Sequence, residues 1–288
     1  MANFSETDII LNADGSIYHL NLLPEDVADI IITVGDPERV AEVSKYFDSI
    51  ELKKGKREFI THTGFIGRKR ISVISTGIGT DNIDIVLNEL DILVNIDLST
   101  RTTKPKETFR SLHIIRIGTS GAVQPNIPVG TLLASTYGLG FDNLMCFYSA
   151  DKKGLNDGLH QASIDHFSNI GIRPYITSAS GLLLEKLAYD LPKGITLTSP
   201  GFYAPQGRST RAHQVRVDLL ERINSFRYHG RQITNLEMET AGIYALAKLL
   251  GHQAVSINAI LASRVNHTFS QHPSATIEKA IQLVLERI

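Results

Sequence analysis

At 288 residues, 42% hydrophobic and 20% charged, the chain can bury one large core or two medium ones, which excludes disorder as its main state. Its 29 Lys and Arg against 30 Asp and Glu leave a formal net charge of -1, so no global field recruits nucleic acid or an anionic membrane. The lone Cys146 excludes an intrachain disulfide, no basic-then-apolar leader stands at Met1–Glu6, and the apolar stretch from Ile83 to Leu98 is interrupted by Asp84, Glu89, Asp91 and Asp97; a cytoplasmic protein without a membrane span is expected.

Asp29 to Val34 is nearly all branched aliphatic and runs into Gly35-Asp36-Pro37, which predicts a buried strand and a tight turn. A helix should follow, capped by Asp36, opened by Pro37, with Val40, Val43 and Phe47 on one face and its end near Asp48. Ile50 to Thr76 is strand-like, with a turn at Ile66-Gly67-Arg68-Lys69 before a strand at Ile71–Ile74. Ser75-Thr76-Gly77-Ile78-Gly79 leads into a helix over 81–98, and the polar residues 99–110 read as a surface connection. Strand Leu112–Ile117 then runs into a turn at Gly118-Thr119-Ser120-Gly121, with a further strand at Val129–Ala134. Later elements are expected as helix 157–170, strand 173–178, helix 212–226, strand 232–236, helix 239–250, strand 254–262 and helix 274–287. The alternation predicts one α/β domain over 1–288, a three-layer α/β/α arrangement with a mixed, mostly parallel central sheet.

Three strand ends carry small, polar, glycine-bearing segments: Gly35-Asp36-Pro37-Glu38-Arg39, Ser75-Thr76-Gly77-Ile78-Gly79 and Arg116-Ile117-Gly118-Thr119-Ser120-Gly121. Converging at the carboxyl ends of strands, their backbone N–H groups with Arg39 and Arg116 describe an oxyanion site; taken singly, each is an ordinary strand-to-helix turn. Neither a G-x-x-x-x-G-K-[ST] loop nor a dinucleotide fingerprint is present, so a small anion fits better than a nucleotide phosphate chain. Glu237-Met238-Glu239 places carboxylates two residues apart, able to accept from a vicinal diol, with Met238 as an apolar surface between them; the alternative is that Glu239 caps a helix and Glu237 is solvated. Phe202 could stack on a planar ring while Gln206 and Arg208 read an imide edge, or the segment 201–208 is simply a turn. The ten histidines contain no H-E-x-x-H or clustered ligand spacing, so no metal is expected.

In order from His19 to Arg264, these motifs resemble the nucleoside phosphorylase family that contains the uridine phosphorylases and the hexameric-type purine nucleoside phosphorylases. Gly35-Asp36-Pro37-Glu38-Arg39 is similar to its G-D-P-x-R phosphate loop, Ser75–Gly79 to its S-T-G-I-G turn, Arg116–Gly121 to its R-I-G-T-x-G segment and Glu237-Met238-Glu239 to its E-M-E. The resemblance implies phosphate held by Gly35, Arg39, Arg116 and Thr119, and ribose met by Glu237, Met238 and Glu239. It also implies that His19, near the ribose 5′-hydroxyl, and Arg57, on phosphate, reach into a neighbouring subunit, making a homodimer or a hexamer.

Phe202-Tyr203-Ala204-Pro205-Gln206-Gly207-Arg208 resembles the uridine branch's F-Y-x-x-Q-x-R, and Leu261-Ala262-Ser263-Arg264 lacks the aspartate that the purine branch places there. The implied reaction is phosphorolysis of uridine, with Arg208, Gln206, Glu239 and Arg116 as catalytic groups, inorganic phosphate as co-substrate and no cofactor. A purine or broad-specificity phosphorylase is the nearest alternative; a nucleosidase would not need Arg39, Arg57 and Arg116, and a non-catalytic nucleoside-binding protein would not need the full phosphate set. Thr80-Asp81-Asn82 departs from the family's Gly-Pro-Ser after Gly79, where some members build a monovalent-cation site.

Overall fold

Residues 3–149 and 158–288 are described by a computed structural model, and the chain divides into two units, Met1–Ile115 with Leu246–Gln253 and Arg116–Ala245 with Ala254–Ile288. In the first unit the aliphatic run forms β1 (Ile30–Val34), buried beyond its first residue. Its helix, α1 (Pro37–Ser44), begins as expected: Asp36 Oδ1 accepts from Glu38 N at 2.9 Å and Pro37 occupies the first turn. Val40, Val43 and Phe47 are all buried, and single hydrogen-bonded turns carry the chain on to Phe47.

Next come β2 (Ser49–Lys56), β3 (Phe59–Ile66) and β4 (Lys69–Ser75), an antiparallel meander. The turn at Gly67-Arg68 is the expected one, with Gly67 at φ +57°, while Arg57-Glu58 forms the other two-residue turn. Strand β4 then pairs in parallel with β1, Val34 opposite Ser75. Helix α2 (Thr80–Asn95) buries Ile83, Val86, Leu87, Leu90, Leu93 and Val94, a stripe of helical period. It stops before residue 98 because Ile96 turns extended: β5 (Ile96–Asp97) pairs with β6 (Thr102–Thr103), so the polar connection contains a small hairpin.

The second unit holds most of β7 (His113–Ala122), followed by β8 (Leu132–Gly140), α3 (Gly158–His166), β9 (Tyr175–Ser178), α4 (Gly181–Leu187), β10 (Lys193–Thr198), α5 (Leu219–Ser225), β11 (Arg227–Tyr228), β12 (Arg231–Glu237), the first half of α6 (Thr240–Leu250), nearly all of β13 (Gln253–Ser263), β14 (Thr268–Phe269) and α7 (Pro273–Arg287). Strand β10 pairs in parallel with both β8 and β12, whereas β13 is antiparallel to β8 and β12 is antiparallel to β7. Since β13 is also a neighbour of β7, the five strands β7, β12, β10, β8 and β13 close into a ring. The sheet is mixed, as expected, and antiparallel pairing takes a larger share than strand–helix alternation suggests. Leu139, Phe141, Phe167, Leu197, Phe226 and Leu236 belong to the main core of this unit.

Several expected elements are corrected. Gly118–Gly121 is not a turn: β7 runs through it. Strand β8 starts after Val129 and continues to Gly140, because Gly138 admits the Ala241 backbone and Gly140 lies under the Tyr175 ring, close approaches that need glycine within a strand. The helix expected over 212–226 is only α5, since Val215 and Val217 are 92% and 88% exposed and offer no face to bury. Helix 157–170 is α3 plus a short 3-10 turn at Ser168–Ile170, residue 157 lying outside the described residues. Strand β10 and helix α4 lie outside the elements that the sequence pattern predicts. Among the described residues, no helix is long and apolar enough to cross a membrane.

Candidate active site

In the first unit, the parallel pairing of β1 with β4 brings two of the glycine turns side by side. Thr76 N donates to Val34 O at 2.8 Å, and a β-carbon on Gly35 would stand 3.5 Å from Gly77 O. Gly77 and Gly79 have φ of +69° and +99°, so the Ser75–Gly79 turn needs residues without a β-carbon at both points. Arg39 lies half-buried in the first turn of α1, where the helix N-terminus favours an anion.

The same unit carries His19 and Arg57. The half-buried His19 ring donates or accepts through Nδ1 at 2.6 Å from Glu89 Oε1, and Glu89 also accepts from the backbone N–H groups of His19 and Leu20. One buried carboxylate of α2 thus fixes both the chain and the ring at this point. Arg57 is exposed at the tip of the β2–β3 hairpin with φ +57°, a left-handed conformation that arginine adopts at a cost.

In the second unit, Arg116 is buried in β7 and is held by four side chains. Its Nη2 stands 2.6 Å from Glu239 Oε2 and 2.9 Å from Glu237 Oε2, while Nη1 donates to Asn258 Oδ1 at 3.2 Å and to Ser256 Oγ at 3.3 Å. Gly118 explains how this fits: a β-carbon there would overlap the Arg116 guanidinium, which lies across the strand face two residues on. Burial disfavours the charged guanidinium, but the Glu237 and Glu239 carboxylates outweigh it, and the net shift of the Arg116 pKa is upward.

The two carboxylates have different partners from those the sequence suggests. Glu237, not Glu239, receives the start of α6: it accepts from Glu239 N at 3.0 Å, from Thr240 N at 2.9 Å and from Thr198 Oγ1 at 2.7 Å. Both carboxylates are buried, so neither is the solvated group of the alternative reading. With one guanidinium for two carboxylates, the triad carries a formal charge of -1, offset by Thr198 and the helix N-terminus. Met238 is half-buried between the glutamates, and Thr119 is half-buried in β7.

Phe202, Gln206 and Arg208 form a second cluster in this unit. The Arg208 guanidinium lies 3.6 Å from the Phe202 ring centroid and donates to Gln206 Oε1 and Phe202 O, each at 2.5 Å. Gln206 is buried, while Phe202 is 51% exposed. Arg264 reaches the same loop, donating to Gly207 O at 3.3 Å with its stem against Gly121 of β7. Burial and the like charge of Arg264 push the Arg208 pKa down to about 10, and burial lowers that of Arg264 as well. Ser263 Oγ accepts from Asn266 N at 3.1 Å, closing the turn after β13.

Sequence reasoning missed Ser256, Asn258 and Thr198, polar strand residues that orient the triad. Their signal is a polar side chain in an otherwise apolar strand, which identifies no partner by itself. Among the described residues, no group of three or more His, Cys, Asp or Glu is placed to hold a metal ion.

Residues 29–288 match the family model described as the phosphorylase superfamily. A uridine phosphorylase of Thermococcus kodakarensis is 29% identical over 260 residues, covering 90% of this chain and 81% of that protein. A DeoD-type purine nucleoside phosphorylase of Buchnera aphidicola is 28% identical over 274 residues, covering 94% and 98%. Among solved structures, a Trypanosoma brucei nucleoside phosphorylase, described as showing uridine phosphorylase activity, aligns with a TM-score of 0.88 at 28% identity, covering 97% of this chain and 99% of that one. The chain therefore belongs to the phosphorylase superfamily, with nucleoside phosphorylases as its relatives in both sequence and fold.

Proposed function

We propose that the protein catalyses phosphorolysis of uridine to uracil and ribose 1-phosphate, as a cytoplasmic homodimer or hexamer serving nucleoside salvage, without metal or organic cofactor. The observation that carries this reading is the Phe202–Gln206–Arg208 cluster with Arg264 beside it. Burial and the like charge of Arg264 lower the proton affinity of Arg208, and burial lowers that of Arg264, so an anion is favoured beside this pair, and a uracil leaving with the bonding electrons is an anion delocalised over O2 and O4.

In this mechanism a phosphate oxygen forms a bond to C1′ as the C1′–N1 bond breaks, and its electron pair departs with uracil, which is protonated afterwards by solvent. Gly35, Arg39, Arg116 and Thr119 are the proposed phosphate contacts, with Arg57 from the neighbouring subunit. Glu237, Met238 and Glu239 are proposed for ribose, with His19 from the neighbour at the 5′-hydroxyl. The formal negative charge of the Arg116–Glu237–Glu239 triad suits a sugar that gains oxocarbenium character. Gln206 and Arg208 stabilise the leaving base, and preorganised donors of this type contribute about 3 to 4 kcal/mol each. Gln206→Leu and Arg208→Leu should therefore lower kcat/KM for uridine by about 10² or more each, with the KM for phosphate largely retained. Wild-type uridine kinetics in both variants would remove these residues from base recognition.

A further inference from the structure

Lys56 has a role that the residues proposed for chemistry do not cover. It is the last residue of β2, next to Arg57, and its half-buried side chain turns toward the loop that carries His19. Its Nζ donates to Tyr18 O at 2.6 Å and to Asn12 Oδ1 at 2.9 Å, and lies 3.9 Å from the centroid of the Tyr18 ring. Two oxygens and an aromatic face thus surround one ammonium, a set that neutral side chains of similar length cannot use. Asn12 in turn fastens the loop to itself: its Nδ2 donates to Ser16 Oγ at 2.9 Å and to Ile17 O at 3.0 Å. Tyr18 meets His19 edge to face at 4.8 Å between centroids, and Phe59, two residues past Arg57, meets the His19 ring edge to face at 6.4 Å.

We propose that Lys56 is a positioning residue that locks the His19 loop to the Arg57 hairpin, so that the two residues are presented as one module. This rests on the reading that His19 and Arg57 serve a nucleoside and a phosphate. Its chemical consequence is coupling: ribose recognition and phosphate recognition fail together when the ammonium is removed, although Lys56 itself touches neither substrate. Glu89 holds His19 from the helix side, while Lys56 supplies the polar link between loop and hairpin beside the Phe59 ring contact.

The test measures kcat/KM for uridine and for 5′-deoxyuridine, and the KM for phosphate, in the wild type, His19→Ala, Arg57→Ala, Lys56→Met and Lys56→Arg proteins, with thermal melting of each. Displacements of the order of an ångström cost roughly 10²-fold in well-oriented sites, so Lys56→Met should lose roughly 10- to 100-fold on uridine. It should also lose the preference for uridine over 5′-deoxyuridine, as His19→Ala does, and raise the phosphate KM, as Arg57→Ala does. Lys56→Arg, which keeps the cation and its donors, should restore both. Lys56→Met with wild-type preference and wild-type phosphate KM, while His19→Ala and Arg57→Ala each change theirs, overturns the coupling alone. Wild-type behaviour of His19→Ala and Arg57→Ala overturns the underlying reading and the proposal with it.

Discussion

Arg116 illustrates how the surroundings of a residue set what its substitution can reveal. It neutralises two buried carboxylates, so Arg116→Ala leaves both unpaired and tests stability as much as phosphate binding. Gly118 gives a sharper probe, since no chemistry is assigned to it and its only distinguishing feature is the guanidinium lying across it. Gly118→Ala should displace that guanidinium from a pocket where four side chains hold it, at a cost of about 3 to 5 kcal/mol if the triad is broken. Denaturant unfolding alongside phosphate kinetics checks this: both should deteriorate, and a variant with native stability and native phosphate KM would mean that Arg116 has another equally good position.

At the level of elements, the β2–β3 hairpin places Arg57 where backbone preference and side-chain role conflict. An L-residue in the left-handed region costs about 1 to 2 kcal/mol relative to glycine, so Arg57→Gly should melt no lower than the wild type and yet use phosphate less well. A melting temperature well below the wild type would show that the arginine side chain supports the fold instead. Elements whose causes are local were legible in the sequence: β1 from its branched aliphatics, α1 from Asp36 and Pro37, the turn at Gly67. Those whose causes are remote were not. Gly118 reads as a turn residue, and the expected strand at Val129–Ala134 stops short of Gly138, because what these glycines accommodate, Arg116's guanidinium and the Ala241 backbone, appears only after the strands pair. Strand β10 has no clear signal in the sequence because Thr196 and Thr198 interrupt its apolar pattern; both are buried and bonded to Asn235 and Glu237 on the neighbouring strand. The candidate site residues come from motif resemblance, whereas the pairing of Glu239 with Arg116, 123 residues away, has no signal in the sequence.

For the whole molecule, the first unit carries His19, Gly35, Arg39 and Arg57, and the second carries Arg116, Thr119, Phe202, Gln206, Arg208, Glu237, Met238 and Glu239. If His19 and Arg57 serve a neighbouring subunit, mixed oligomers of Arg57→Ala with Arg208→Leu subunits should recover activity that neither variant has alone, because some sites then receive both intact arginines. Verified mixed oligomers without recovery would assign Arg57 to its own subunit. The central claim is tested most directly by following base release from uridine and from inosine at equal concentration, with and without inorganic phosphate. Uridine should be cleaved much faster than inosine, only when phosphate is present, and with ribose 1-phosphate as product. Faster cleavage of inosine, or release of free ribose without phosphate, would contradict the account.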